Sequence, residues 1–167
     1  MRARGGSQEK IRNKKKELTD NSQLLYMFAT GNICKSTMTK EEQISYWKEL
    51  SDYDMETAEA MLTTHRWLYV GFMCHKVLEK TIKAYWCSKE FGTPPYIHNL
   101  ARLAEGCELM QMMSEEQLYF IDMMTPMNIE ARYPSYKESI SRGLSESFCR
   151  EMIDKTKEMQ QWINQML

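Results

Sequence analysis

The chain has 167 residues, 43 % apolar and 27 % charged, with a net charge of −1. That balance describes one globular domain with a real core, and it excludes a disordered chain and nucleic-acid binding through overall charge. Seven Gly and four Pro are few for the many turns of a strand-rich fold, so long helices are expected.

Residues 1–16 (MRARGGSQEKIRNKKK) carry seven Lys or Arg against one Glu and read as a flexible basic arm. A short helix is expected around Leu24 to Phe28, with a break at Gly31 and Asn32. Residues 1–38 are therefore assigned to an N-terminal extension, and 39–167 to the organised domain. In that domain TKEE provides Thr39 as an N-cap, with Glu42 completing a capping box. From there to about Thr64, Ile44, Trp47, Leu50, Ala58, Met61 and Leu62 share one helical face. A second helix is predicted from about Arg66 to Phe91, ended by Gly92 and by Pro94-Pro95. A third covers about His98 to Met110. Ser114 caps a fourth through SEEQ, predicted to reach about Asn128, and Pro134 breaks the run after it. The last helix, about Ser145 to Met166, has Phe148, Met152, Met159, Trp162, Ile163 and Met166 at core spacing. With no alternating strand pattern and no repeat, the expected fold is all-α, an antiparallel bundle of about five helices.

The 15 methionines suit a helical core, or alternatively an adaptable contact surface. The five cysteines (Cys34, Cys74, Cys87, Cys107, Cys149) are odd in number and widely spread, as expected of free thiols in a reducing cytoplasm. Neither they nor the three histidines (His65, His75, His98) show metal-ligand spacing, so no metal and no cofactor are expected. No signal-peptide pattern is visible, and no apolar run approaches the ~20 residues of a membrane span. A cytoplasmic protein is the expectation.

The second helix poses the functional question. In GFMCHKVLEKTIKAYW, residues 71–86, His75, Glu79 and Lys83 recur at i, i+4 and i+8 within the arc that holds Leu68, Phe72, Ile82 and Trp86. On the first helix Asp54 falls in the buried arc, whereas Asp52, Glu56 and Glu59 lie opposite, on the face expected to be wet. Folding the two helices about residue 66 sets Asp54 opposite residue 78, within reach of His75, Glu79 or Lys83. Burying these groups unpaired would cost several kcal/mol, so they should form one network. It reads either as a polar layer that fixes the register of the bundle or as a ligand or catalytic site. Lys76, Lys80 and Lys83 form a basic edge on the same helix, suited to phosphates or to pairing with first-helix acids. His98, at a helix start, either hydrogen-bonds nearby backbone or faces a ligand.

DYDMETAEAML, then GFMCHKVLEKTIKAYW, YIHNLARLAE and ARYPSY, resemble in order and spacing the HEPN domain family (higher eukaryotes and prokaryotes nucleotide-binding) over residues 45–163. The resemblance implies a small helical bundle, a homodimer, and in many prokaryotic members a minimal nucleotidyltransferase partner in toxin–antitoxin-type or related modules. Other HEPN proteins are metal-independent ribonucleases, with an Arg followed four to six residues later by His. Here Arg132 leads only into RYPSYKES, without a His, and a tyrosine such as Tyr133 or Tyr136 is a poor base at neutral pH. The chain therefore resembles the non-nuclease RYP branch. In it Arg132 and Tyr133 would bind a phosphate or a partner carboxylate, or else Arg132 caps helix ends at a turn that Pro134 fixes. The function this implies is a non-catalytic binding module for nucleotide or RNA phosphates, using Lys76, Lys80, Lys83, His98, Arg132 and Tyr133. The alternatives are an atypical ribonuclease and a purely architectural dimerising bundle.

Overall fold

A computed structural model describes residues 38–89, 92–130 and 144–167. The expectations for residues 1–37, and for Arg132, Tyr133, Pro134 and Tyr136, lie outside the described residues. The described helices all belong to the compact unit Thr39–Leu167. They are α1 (Lys40–Thr63), α2 (Trp67–Ser88), α3 (Leu100–Gly106), α4 (Glu115–Met124), the short α5 (Met127–Glu130) and α6 (Glu146–Asn164). A 3-10 turn, Leu109–Met112, joins α3 to α4. Among the described residues there is no strand, so the fold is an all-α bundle. None of these helices is long and apolar enough to cross a membrane.

The helix starts follow local chemistry. Thr39 Oγ1 accepts from the backbone N–H of Glu42, whose carboxylate accepts from the Thr39 N–H at 2.8 Å. Ser114 and Gln117 repeat this box at α4, and Asn99 and Ser145 cap α3 and α6. The ends depart from expectation. α2 stops at Ser88 rather than Phe91, although Gly92 does adopt the left-handed conformation (φ 76°). α3 stops at Gly106 rather than Met110, because Glu108 turns left-handed (φ 61°) and the chain tightens into the 3-10 turn. Gly106 is required there, since a Cβ would lie 2.7 Å from the ring of Trp86. α4 ends at Met124, short of Asn128, because Pro126 has no N–H to continue the ladder, although Thr125 itself keeps helical dihedrals (φ −56°, ψ −45°).

α1 and α2 form the expected antiparallel hairpin, turned through His65 at φ 56°. Ser51 reaches the Val77 carbonyl at 3.1 Å and Thr81 Oγ1 at 2.7 Å, which places the fold point close to residue 66. α6 runs antiparallel to α1, with Lys157 beside Glu59 and Gln160 beside Asp52. The polar face of α1 therefore meets α6 rather than water alone, although Asp52 and Glu59 remain exposed. The buried stripe of α1 is Ser51, Asp54, Met55, Ala58 and Leu62, and the expected core residues Ile44, Trp47, Leu50 and Met61 are only half-buried. Helix α2 is the centre of the bundle, packed by α1, α3, α4, α5 and α6. Its least covered line runs through Tyr69, Phe72, Met73, Lys76 and Lys80, whereas His75, Glu79 and Lys83 are buried.

Candidate functional site

Glu79 is the hub of the polar residues on α2 and is 4 % exposed. One carboxylate oxygen accepts from Lys83 Nζ at 2.7 Å, and the other from Lys76 Nζ at 2.8 Å. From the loop before α3, His98 Nδ1 lies 3.1 Å from both oxygens and donates between them. Helical spacing supplies the two lysines, at i−3 and i+4, on the face that Glu79 shares. Burial pushes the Glu79 carboxyl up, but the hydrogen bonds and charges of Lys76 and Lys83 outweigh it and hold the group at about 2.

His75 sits one turn before Glu79 and is fully buried. Its Nδ1 is 2.9 Å from the Met124 carbonyl, which can only accept, so the proton resides on Nδ1. Nε2 then presents a lone pair towards Glu79 Oε2 at 3.8 Å and makes no hydrogen bond there. Burial lowers the His75 pKa, against the raising influence of the Met124 carbonyl and of Glu79. The ring is a neutral wall of the cluster.

Asp54 does not join this network, contrary to expectation. It pairs with Lys80, Nζ lying 2.5 Å from Oδ2 at an angle outside hydrogen-bond geometry. The reason is angular. Lys80 lies about 100° round the helix from Glu79, on the side facing α1. Glu79 faces the loop that carries His98. Of the two readings of the basic edge, Lys80 follows pairing with a first-helix acid. Lys76 and Lys83 pair within their own helix. His98 bonds a side chain, Glu79, rather than the neighbouring backbone.

The cluster is open on the His98 side. The His98 side chain is 45 % exposed, against 7 % for Lys83 and 14 % for Lys76. Tyr96, 84 % exposed, stands edge-on to the His98 ring at 6.2 Å between centroids. Lys83 Nζ also lies 5.2 Å from the centre of the Trp47 ring. Sequence reading missed Tyr96 and Trp47 as neighbours of the cluster. The Pro-Pro-Tyr run before His98 was the signal for the first, whereas the core spacing of Trp47 concealed the second. Among the described residues, no group of three or more His, Cys, Asp or Glu side chains is placed to hold a metal ion. The described cysteines, Cys74, Cys87, Cys107 and Cys149, are all buried, and burial raises the Cys74 thiol to about 12.

The HEPN domain family model matches residues 44–166. The fold is also similar to that in the crystal structure of TT1696 from Thermus thermophilus. The TM-score is 0.62 at 15 % identity, covering 75 % of this chain and 98 % of that one. None of the curated proteins matches the chain. The family match spans the hairpin, the loop carrying His98 and the last helix, and with it the chain belongs to the HEPN domain family.

Proposed function

We propose that this chain is a non-catalytic HEPN binding module that engages phosphates of nucleotide or RNA at the Glu79 cluster. In this reading it works as a homodimer beside a minimal nucleotidyltransferase, in a toxin–antitoxin-type or related system. The observation that carries the phosphate reading is a surplus of positive charge at the cluster. Among the described residues, the ammonium groups of Lys76 and Lys83 outnumber the Glu79 carboxylate by one, the neighbouring Lys80–Asp54 pair is balanced, and His98 stands at the open side. An anion arriving there meets charge that the protein has not neutralised, in surroundings drier than bulk water. Tyr96 beside His98 offers an exposed ring on which a base could stack. The role is electrostatic holding, with no bond broken. Arg132 and Tyr133 remain part of the proposed surface through the RYP motif alone.

Calorimetric titration with ATP, GTP and a short RNA, at low and physiological salt, tests this. Salt-sensitive binding is expected, weakened roughly tenfold or more in His98→Ala, Lys80→Ala and Arg132→Ala. His98→Ala keeps both lysine pairs of Glu79 and so separates lost binding from lost folding. Absence of binding to all three probes would overturn the reading and leave the cluster as a layer that sets the helix register.

A further inference from the structure

The seam between α4 and α6 holds a groove that the Glu79 cluster does not use. Two hollows, of about 270 and 170 Å³, share Phe120 and Lys155 and so follow one another along the seam. They extend from Ser114 to Met123 on α4 and from Phe148 to Met159 on α6, roughly 15 Å or two to three helical turns. The floor is apolar and adaptable, made by Phe120, Met123, Phe148, Met152 and Met159. Tyr119 stands on its edge at 72 % exposure, a large ring left in solvent beside an apolar hollow.

The charge around this floor is predominantly negative. Glu116, Glu151 and Glu158 line the hollows, against Lys155 alone. Lys155 is already engaged by Glu116 at 3.4 Å and Glu151 at 3.5 Å. Helix α4 (EEQLYFIDMM) carries no basic residue to add to it. Such a rim repels a nucleic acid or an anionic lipid surface, whose phosphates bind where positive charge gathers. An apolar trough two to three turns long, with methionines in its floor and acids on its rim, is complementary to a helix with an apolar stripe flanked by lysine or arginine.

We infer that the α4–α6 groove is a docking site for a cationic amphipathic helix of a protein partner, separate from the phosphate site proposed on α2. The partner's apolar side chains enter between Tyr119 and Phe148, and its basic flank meets Glu116, Glu151 and Glu158. This assigns part of the methionine excess to a contact surface, with Met123 half-buried at the groove and Met152 and Met159 buried beneath it.

Two labelled helical peptides of about 14 residues test the inference on the full chain, sharing one leucine stripe but carrying lysine or glutamate on the polar face. Fluorescence anisotropy at low salt should show the lysine peptide binding at least tenfold more tightly than its glutamate twin. The double variant Glu116→Lys/Glu151→Lys, at exposed positions, should reverse that order. Tyr119→Ala should weaken the lysine peptide without changing the thermal midpoint. Equal affinity for the two peptides, no binding of either, or an unchanged preference in the double variant would each overturn it. The outcome is independent of the nucleotide titration.

Discussion

Two buried polar networks flank the same helix, and they differ in kind. On the α1 and α6 side, Ser51 hydroxyl contacts the Val77 carbonyl and Thr81, and receives Gln160 Nε2 at 3.0 Å. Thr81 also donates to Val77, and Gln160 also donates to Asp52. This network is neutral at its core, joins three helices and closes on itself. On the other side, Glu79 gathers two ammonium groups and the His98 imidazole, lies beside the buried His75 ring and reaches the surface through His98. A closed neutral network holds helices in register and offers nothing to a ligand. A charged network with spare charge and an open side is a place where a ligand can be held. The difference separates architecture from candidate site within one helix.

The largest expected effect comes from removing the hub. Glu79→Gln should destabilise the fold by about 3–5 kcal/mol in urea titrations, because Lys76 and Lys83 lose their counter-charge inside the bundle. If Ser51→Ala costs as much, the contrast between the networks fails. Acid should act on the same group. A carboxyl held at about 2 in the fold and near 4.5 unfolded contributes stability that is fully present above pH 4.5. That contribution, up to about 3 kcal/mol, is lost as the pH falls from 4.5 towards 2, and this part of the acid titration should flatten in Glu79→Gln.

Ser51→Ala should cost only about 1 kcal/mol, since Thr81 keeps the Val77 carbonyl and Gln160 keeps Asp52. A loss above about 3 kcal/mol in chemical denaturation would make the neutral network as critical as the charged one. The smallest effect concerns His75. Its lowered pKa means that the unfolded chain takes up a proton more readily, so stability falls as the pH drops below 6.5. His75→Asn keeps a donor near the Met124 carbonyl without titrating, and should abolish that part of the slope between pH 7 and 5. An unchanged slope would show that other groups set it.

The reach of the sequence differs from element to element. The boxes at Thr39 and Ser114 were legible because a cap is a contact between residues three apart. The early ends of α3 and α4 were not equally legible. Gly106 looks like a tolerable helix residue until the Trp86 ring is set against it, and Pro126 falls inside an apolar pattern that runs past it. The polar residues of α2 were visible as an anomaly of periodicity, and the fold point near 66 fixed their level against α1. Their partners were another matter. Asp54 meets Lys80 instead of the His75, Glu79 and Lys83 row, a choice made by rotation about the helix axis that a projection cannot resolve.

What the sequence by itself determined was the all-α class, the hairpin, most helix starts and the membership of the buried polar set, since each rests on periodicity or on contacts within a few residues. Only the tertiary structure decided that Glu79, rather than Asp54, is the hub, that His98 closes on it, and that acids ring an apolar seam between α4 and α6. Those facts depend on which faces of distant segments meet. Local propensity is silent on that, because packing chooses among rotations of a helix that the chain finds nearly equal before its neighbours arrive.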